Sequence, residues 1–176
     1  MQLDPKSLTT PSKIDQKVSS FCRKLSSSTP VFIEVTPEIW CRQSCCEMNV
    51  EKLIEQLGGK KVHGYKIWYV KGKYIEAERH TVYEHEGILR DPTFNVDGEQ
   101  KILFVRDSKD TKGYDDRPLK IREGFTQKAR LLANQLNERD TGVITLSKEE
   151  SWDVMPSYED WLAGNRQPNM WAATKS

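Results

Sequence analysis

A chain of 176 residues, with 30% charged residues and a net charge of +1, is sized for one domain with some trimmings and can bury a core without disulfides. The near-neutral balance, with Lys and Arg spread along the chain, argues against nucleic acid or an anionic membrane as partner, and no apolar run of about 18 residues offers a membrane span. Four cysteines, two of them adjacent, do not make a secreted disulfide framework, and the N-terminus shows no basic start followed by an apolar core. The expected compartment is therefore a reducing cytoplasm, that of the producing cell or of one that receives the protein.

Residues 1–14, polar and holding Pro5 and Pro11, read as a flexible arm. Residues 15–26 suit a short helix. Val18, Phe21, Cys22 and Leu25 fall at i, i+3, i+4 and i+7, which makes Cys22 a small buried hydrophobe. Val31–Val35 is a β-prone run closed by Thr36-Pro37. A helix is expected from Asn49, with Val50, Leu53, Ile54 and Leu57 on one face and Gly58-Gly59 at its end. Strands follow at Lys61–Val70, Tyr74–Tyr83, Ile88–Thr93 and Lys101–Asp107, and their short connections predict an antiparallel meander. Ser108–Pro118 is a charged loop. Residues 122–138 suit a helix with Phe125, Ala129, Leu132 and Leu136 towards the sheet. Gly142–Leu146 is a candidate edge strand, and Ser157 opens a short helix.

The expectation is one α+β domain over 15–164, its core at 31–107, with an antiparallel sheet of four or more strands and helices packed on one face. Residues 165–176 read as a disordered tail.

The chemistry gathers at two places. Cys46 precedes the expected helix start, where backbone N–H groups can stabilise a thiolate and bind an oxyanion. Cys45 competes for that role, because the start of a helix is poorly fixed by sequence. On the second meander strand Tyr74, Glu76, Glu78, His80 and Val82 share a face. A histidine in a row with two glutamates suits a cleft or solvent, and Glu76 and Glu78 also read as a plain solvated face. A turn at Glu86-Gly87 would bring Asp91 beside His80 to orient the imidazole. Gln43 is a possible oxyanion donor, and Cys45, Asn49 and Glu78 complete the candidate set. The order of cysteine at a helix start, then histidine, then carboxylate is what a thiol hydrolase requires.

The segments Cys46-Glu47-Met48-Asn49-Val50, Gly58-Gly59, Gly64 to Trp68, Glu76 to Tyr83, Asp91-Pro92-Thr93 and Ile102-Leu103-Phe104 resemble a group of small, largely uncharacterised bacterial and phage proteins. That group's pattern runs C-x-x-N-V, GG, GW-x-I-W, E-A-E-x-H-x-V-W, D-V-T and R-I-L-F. Its order resembles the papain-like superfamily, which includes transglutaminase-like and NlpC/P60-type hydrolases. The resemblance covers about residues 30–107 and implies a papain-like or transglutaminase-like core, with the group's cysteine on Cys46, histidine on His80 and aspartate on Asp91. Tyr65 and Tyr83 stand where the pattern has Trp. Pro92 moves its motif towards the Asp-Pro-Thr of transglutaminase-like proteins. The cysteine-rich zinc-binding tail of some relatives has no counterpart after Cys46.

Three readings follow. The first is a cysteine hydrolase or acyltransferase acting on an amide, isopeptide or ester bond of a protein, peptide or other amide substrate; it needs no cofactor. The second is a non-catalytic interaction domain on a hydrolase-like scaffold, using Tyr65, Trp68, Tyr69, Tyr74, Tyr83, Trp152, Trp161 and Trp171. The third is a zinc site built from Cys41, Cys45, Cys46, His80 and His85, against which the spacing counts: there is neither a C-x-x-C nor an H-x-x-x-H.

Overall fold

The computed structural model describes residues 7–109, 114–141, 143–167 and 172–174. In chain order these form α1 (Gln16–Leu25), β1 (Val31–Glu34), α2 (Cys46–Leu57), β2 (Lys60–Val70), β3 (Tyr74–His85), β4 (Ile88–Arg90), β5 (Lys101–Arg106), β6 (Lys120–Gly124), α3 (Gln127–Thr141), β7 (Val143–Thr145), α4 (Lys148–Val154), α5 (Tyr158–Leu162) and β8 (Ala172–Thr174). The fold is α+β. Its six-stranded open sheet runs β1-β5-β2-β3-β4, with β6 also paired to β3, and β7 and β8 form a separate two-stranded ladder.

The meander expectation holds for β2, β3 and β4 and fails for β5. That strand pairs antiparallel with β2, Tyr65 opposite Val105 and Ile67 opposite Leu103. Residues 122–124, where the sequence predicts the start of a helix, belong instead to β6, which pairs antiparallel with β3 from Tyr74–Gly124 to Glu78–Lys120. Only from Gln127 does the chain turn helical. Val143–Thr145 is a strand as expected, but its partner is β8. Among the described residues no helix is long and apolar enough to cross a membrane.

The chain divides into two compact units. One takes Met1–Phe32, His63–Arg79 and Leu103–Thr141, and the other Ile33–Val62, His80–Ile102 and Gly142–Ser176. In the first, α1 buries Val18, Phe21 and Cys22 against Tyr65, Ile67, Tyr69, Ile75, Ala77, Leu103 and Val105. Asp15 caps α1 by accepting from Val18 N at 2.9 Å. Helix α3 packs Ala129 and Ala133 on Val70 and Tyr74. Alternation along a strand puts Tyr65, Ile67 and Tyr69 on one face and Val70 on the other. The two helices therefore cover opposite faces, not the single face expected. Thr9 bridges Tyr69 antiparallel; residues 1–6 of the expected arm, and 168–171 and 175–176 of the expected tail, lie outside the described residues.

In the second unit, α2 buries Val50 and Leu53 against Tyr83, with Trp40 and Ile54 alongside. The Tyr83 hydroxyl donates to the Gly58 carbonyl at 2.8 Å, at the end of α2. Gly59, at φ 90, lies so close to β3 that a Cβ would come within 2.6 Å of the Glu84 carbonyl oxygen, a position only glycine fits. The chain thus leaves α2 and enters β2 directly, which fixes the helix that carries Cys46.

Candidate active site

Helix α2 begins three residues before the expected Asn49. Cys45 is its N-cap, with φ −104 and ψ 51 and no side-chain cap bond, and Cys46 is its first residue. The first intrahelical bond runs from Asn49 N to Cys45 O at 2.9 Å. Ser44, at φ 58, takes the left-handed backbone that turns the loop into the helix. The C-terminal segment holds this loop. Gln43 N donates to Pro156 O at 3.1 Å and Tyr158 N to Cys41 O at 2.8 Å. The Arg42 guanidinium donates to the carbonyls of Trp152 at 2.7 Å and Met155 at 2.9 Å.

His80 lies in the middle of β3, buried at 5% exposure. Its Nε2 is 2.8 Å from Asp91 Oδ2. The Cys46 side chain hydrogen-bonds the same ring; with Nε2 on the carboxylate, Nδ1 is the nitrogen left for sulfur. Asp91 is fully buried and sits just past β4, which is shorter than the strand expected to Thr93. It is held at both backbone ends: Asp91 N donates to Glu34 O at 3.0 Å, and its carbonyl accepts from Thr36 N at 2.8 Å. Its Oδ1 accepts from Thr93 N at 2.9 Å, an Asx turn across Pro92.

Burial favours the neutral His80 imidazole. The Asp91 charge and hydrogen bond, with the Cys46 hydrogen bond and charge, outweigh it and raise the group to about 10. The other cysteines differ in kind. Burial pushes Cys22, Cys41 and Cys45 up to about 12, while Cys46 is half-buried. Of the two adjacent thiols, Cys46 is the one that meets the histidine.

Asn49 joins the group. It is fully buried, clamps the Arg42 backbone through Oδ1 at 2.7 Å and Nδ2 at 2.8 Å, and donates to Thr93 Oγ1 at 3.0 Å. The role of Thr93 escapes the sequence reading, although its signal is there: a hydroxyl two residues after the aspartate. Gln43 is buried, and its Nε2 donates to the Gln167 carbonyl at 2.9 Å. Glu78 belongs to the first unit, where it accepts from Trp68 Nε1 at 3.0 Å.

The Tyr74–Val82 row is no solvated face. Tyr74, Glu76, His80 and Val82 are all buried. Glu76 accepts from the Tyr74 hydroxyl at 2.7 Å and from Lys120 Nζ at 2.9 Å, so its charge is paired across to β6. The strand tyrosines 65, 69, 74 and 83 are likewise buried, which makes them core. Trp171 lies outside the described residues. Among the described residues, no group of three or more His, Cys, Asp and Glu side chains is placed to hold a metal ion.

Comparison with protein-family models, with curated proteins and with solved structures finds no match.

Proposed function

We propose that the protein is a cysteine-dependent hydrolase or acyltransferase acting on an amide, isopeptide or ester bond, on a papain-like or transglutaminase-like core. The observation that carries this reading is one ring with two partners: His80 bonds Asp91 at 2.8 Å and also bonds Cys46. A histidine held by a buried carboxylate and facing a half-exposed thiol at a helix start is an activated nucleophile pair.

The raised His80 favours an imidazolium at neutral pH, which sets a positive charge and the N-terminal end of α2 beside the Cys46 sulfur. The thiolate attacks the carbonyl carbon and forms the C–S bond while the carbonyl electrons move to oxygen. N–H groups in the first turn of a helix have no intrahelical acceptor, and Cys45 supplies no side-chain cap, which suits this end of α2 to receive the oxyanion. His80 gives its proton to the leaving amine or alkoxide. It then takes a proton from water or an acceptor amine, which resolves the thioester.

The test uses p-nitrophenyl acetate as acyl donor, with the mass of the intact chain as readout. One acetyl group should accumulate on Cys46, be lost in Cys46→Ala, and form about 100-fold more slowly in His80→Ala. Acetylation that survives Cys46→Ala unchanged would remove the reading.

A further inference from the structure

We infer that Asn49 and Thr93 are positioning residues that fix the Asp91 carboxylate against His80 and tie it to the helix carrying Cys46. The inference rests on the thiol-hydrolase reading for its purpose and on separate geometry for its content.

The bonds form a closed circuit. Asn49 lies one turn after Cys46 on α2. Its Nδ2 donates to Thr93 Oγ1 at 3.0 Å. Thr93 N donates to Asp91 Oδ1 at 2.9 Å, Asp91 Oδ2 accepts from His80 Nε2 at 2.8 Å, and His80 bonds Cys46. Asn49, Thr93, His80 and Asp91 are each at most 5% exposed, so water cannot replace a missing partner cheaply.

Asn49 also holds Arg42 at both backbone groups. One side chain therefore grips the loop that leads into the nucleophile and the loop that follows the acid. Asparagine is a middling helix former, and its place inside α2 makes sense through these bonds. Aspartate at 49 would keep the acceptor for Arg42 N and lose both donated bonds. Valine at 93 would match the shape of threonine and lose the acceptor. The Thr93 backbone would then be free to turn its N–H away from Asp91, and the carboxylate would lose the bond that sets its angle to the ring.

The test takes the full chain as Thr93→Val, Thr93→Ala and Thr93→Ser. One readout is the His80 titration midpoint by NMR; the other is the alkylation rate of Cys46 by iodoacetamide across pH. Thr93→Val and Thr93→Ala should lower the midpoint by about 1–2 pH units and displace the alkaline limb of the Cys46 alkylation profile by the same amount. Thr93→Ser, which keeps the oxygen, should stay close to the parent in both. If stability falls in Thr93→Val and Thr93→Ala but the midpoint does not move, Thr93 is only structural and the inference is overturned. If Cys46 of the parent reacts no faster than Cys22, the hydrolase reading fails, and the midpoint still decides the positioning role.

Discussion

Tyr83 stands opposite Arg90 in the β3–β4 ladder. Counting on from that pair, Asp91 comes level with Val82 and falls on the strand face that carries His80. Glu86 and Gly87 set the register. Both have left-handed backbone, φ 51 and φ 77, as in the two-residue turns whose twist suits a hairpin. A slip of one residue would turn the Asp91 side chain to the other face. The short hairpin and the Asp91–Glu34 backbone bond together hold a buried carboxylate on a buried ring.

The four thiols should separate sharply in reactivity. Cys22, Cys41 and Cys45 are pushed up to about 12 by burial, so at neutral pH on the order of one in 10^5 of each is thiolate. Cys46 is half-buried and bonds His80. Limiting iodoacetamide at pH 7 should therefore label Cys46 first, at least about tenfold faster than any other cysteine. Peptide mapping by mass spectrometry reads the outcome. Equal labelling of the four in the folded protein would count against an activated thiol.

Helices α1 and α2 are legible because one apolar face sets each of them. Val18, Phe21 and Cys22 in α1, and Val50 and Leu53 in α2, are buried as their spacing predicts, while Leu57, expected on the same face of α2, is exposed at its end. The hairpin that aligns Asp91 with His80 is legible because its turn is local. Strand β6 is not legible. Its sequence KIREG shows little apolar alternation, because Lys120 and Arg122 face Glu76 in a buried ionic pairing. The β5–β2 pairing is invisible for another reason: nothing local distinguishes a return to β2 from a continued meander. Which of the two adjacent thiols meets His80 turns on a helix start that shifts by three residues. Chain geometry settles that start, through Ser44 and the Cys45 cap.

Glu76 should matter for stability and not for the thiol chemistry. Its side chain is 4% exposed and faces Lys120 at 2.9 Å and Arg122 at 3.5 Å, with the Tyr74 hydroxyl at 2.7 Å. Glu76→Ala leaves two cations and a phenol without that partner, a loss of about 3–5 kcal/mol for a buried pair broken on one side. Arg122 keeps Asp140 at 2.6 Å, so the lower end is expected. Urea unfolding measures it. A loss below about 1 kcal/mol would mean that the pairing is as weak as a surface one.

Gly124 should resist even alanine. A Cβ there would run into the Ala129 backbone and Arg130 N of α3, so β6 and α3 could not keep their contact. Gly124→Ala should lower the thermal midpoint clearly, by the several degrees that about 1–3 kcal/mol of overpacking produces. Gly72, whose added Cβ meets nothing within 4 Å, is at φ 72 and should cost only the left-handed strain of about 1 kcal/mol. Differential scanning calorimetry compares the two, and a smaller effect at Gly124 than at Gly72 would contradict the close approach.

The His80–Asp91 pair should leave a signature on the alkaline side. In the unfolded chain His80 titrates near about 6.5; in the folded chain it holds its proton up to about 10. Below the unfolded value both states are protonated, and the attraction to Asp91 contributes fully to stability. As pH rises past that value the unfolded state sheds its proton while the folded state keeps it. The contribution then shrinks and is lost as pH passes the folded value. Asp91→Asn tests this. Asparagine can still offer Oδ1 to Thr93 N, but it removes the charge that outweighs burial, so the His80 midpoint should fall by about 2 pH units or more. The stability difference between the parent and Asp91→Asn, measured by urea unfolding at a series of pH values, should be largest near pH 6 and shrink steadily towards pH 10. The buried thiols of Cys22, Cys41 and Cys45 are common to both proteins and cancel in that difference. A difference that stays flat or grows across this window would show that Asp91 does not hold His80 in its protonated form.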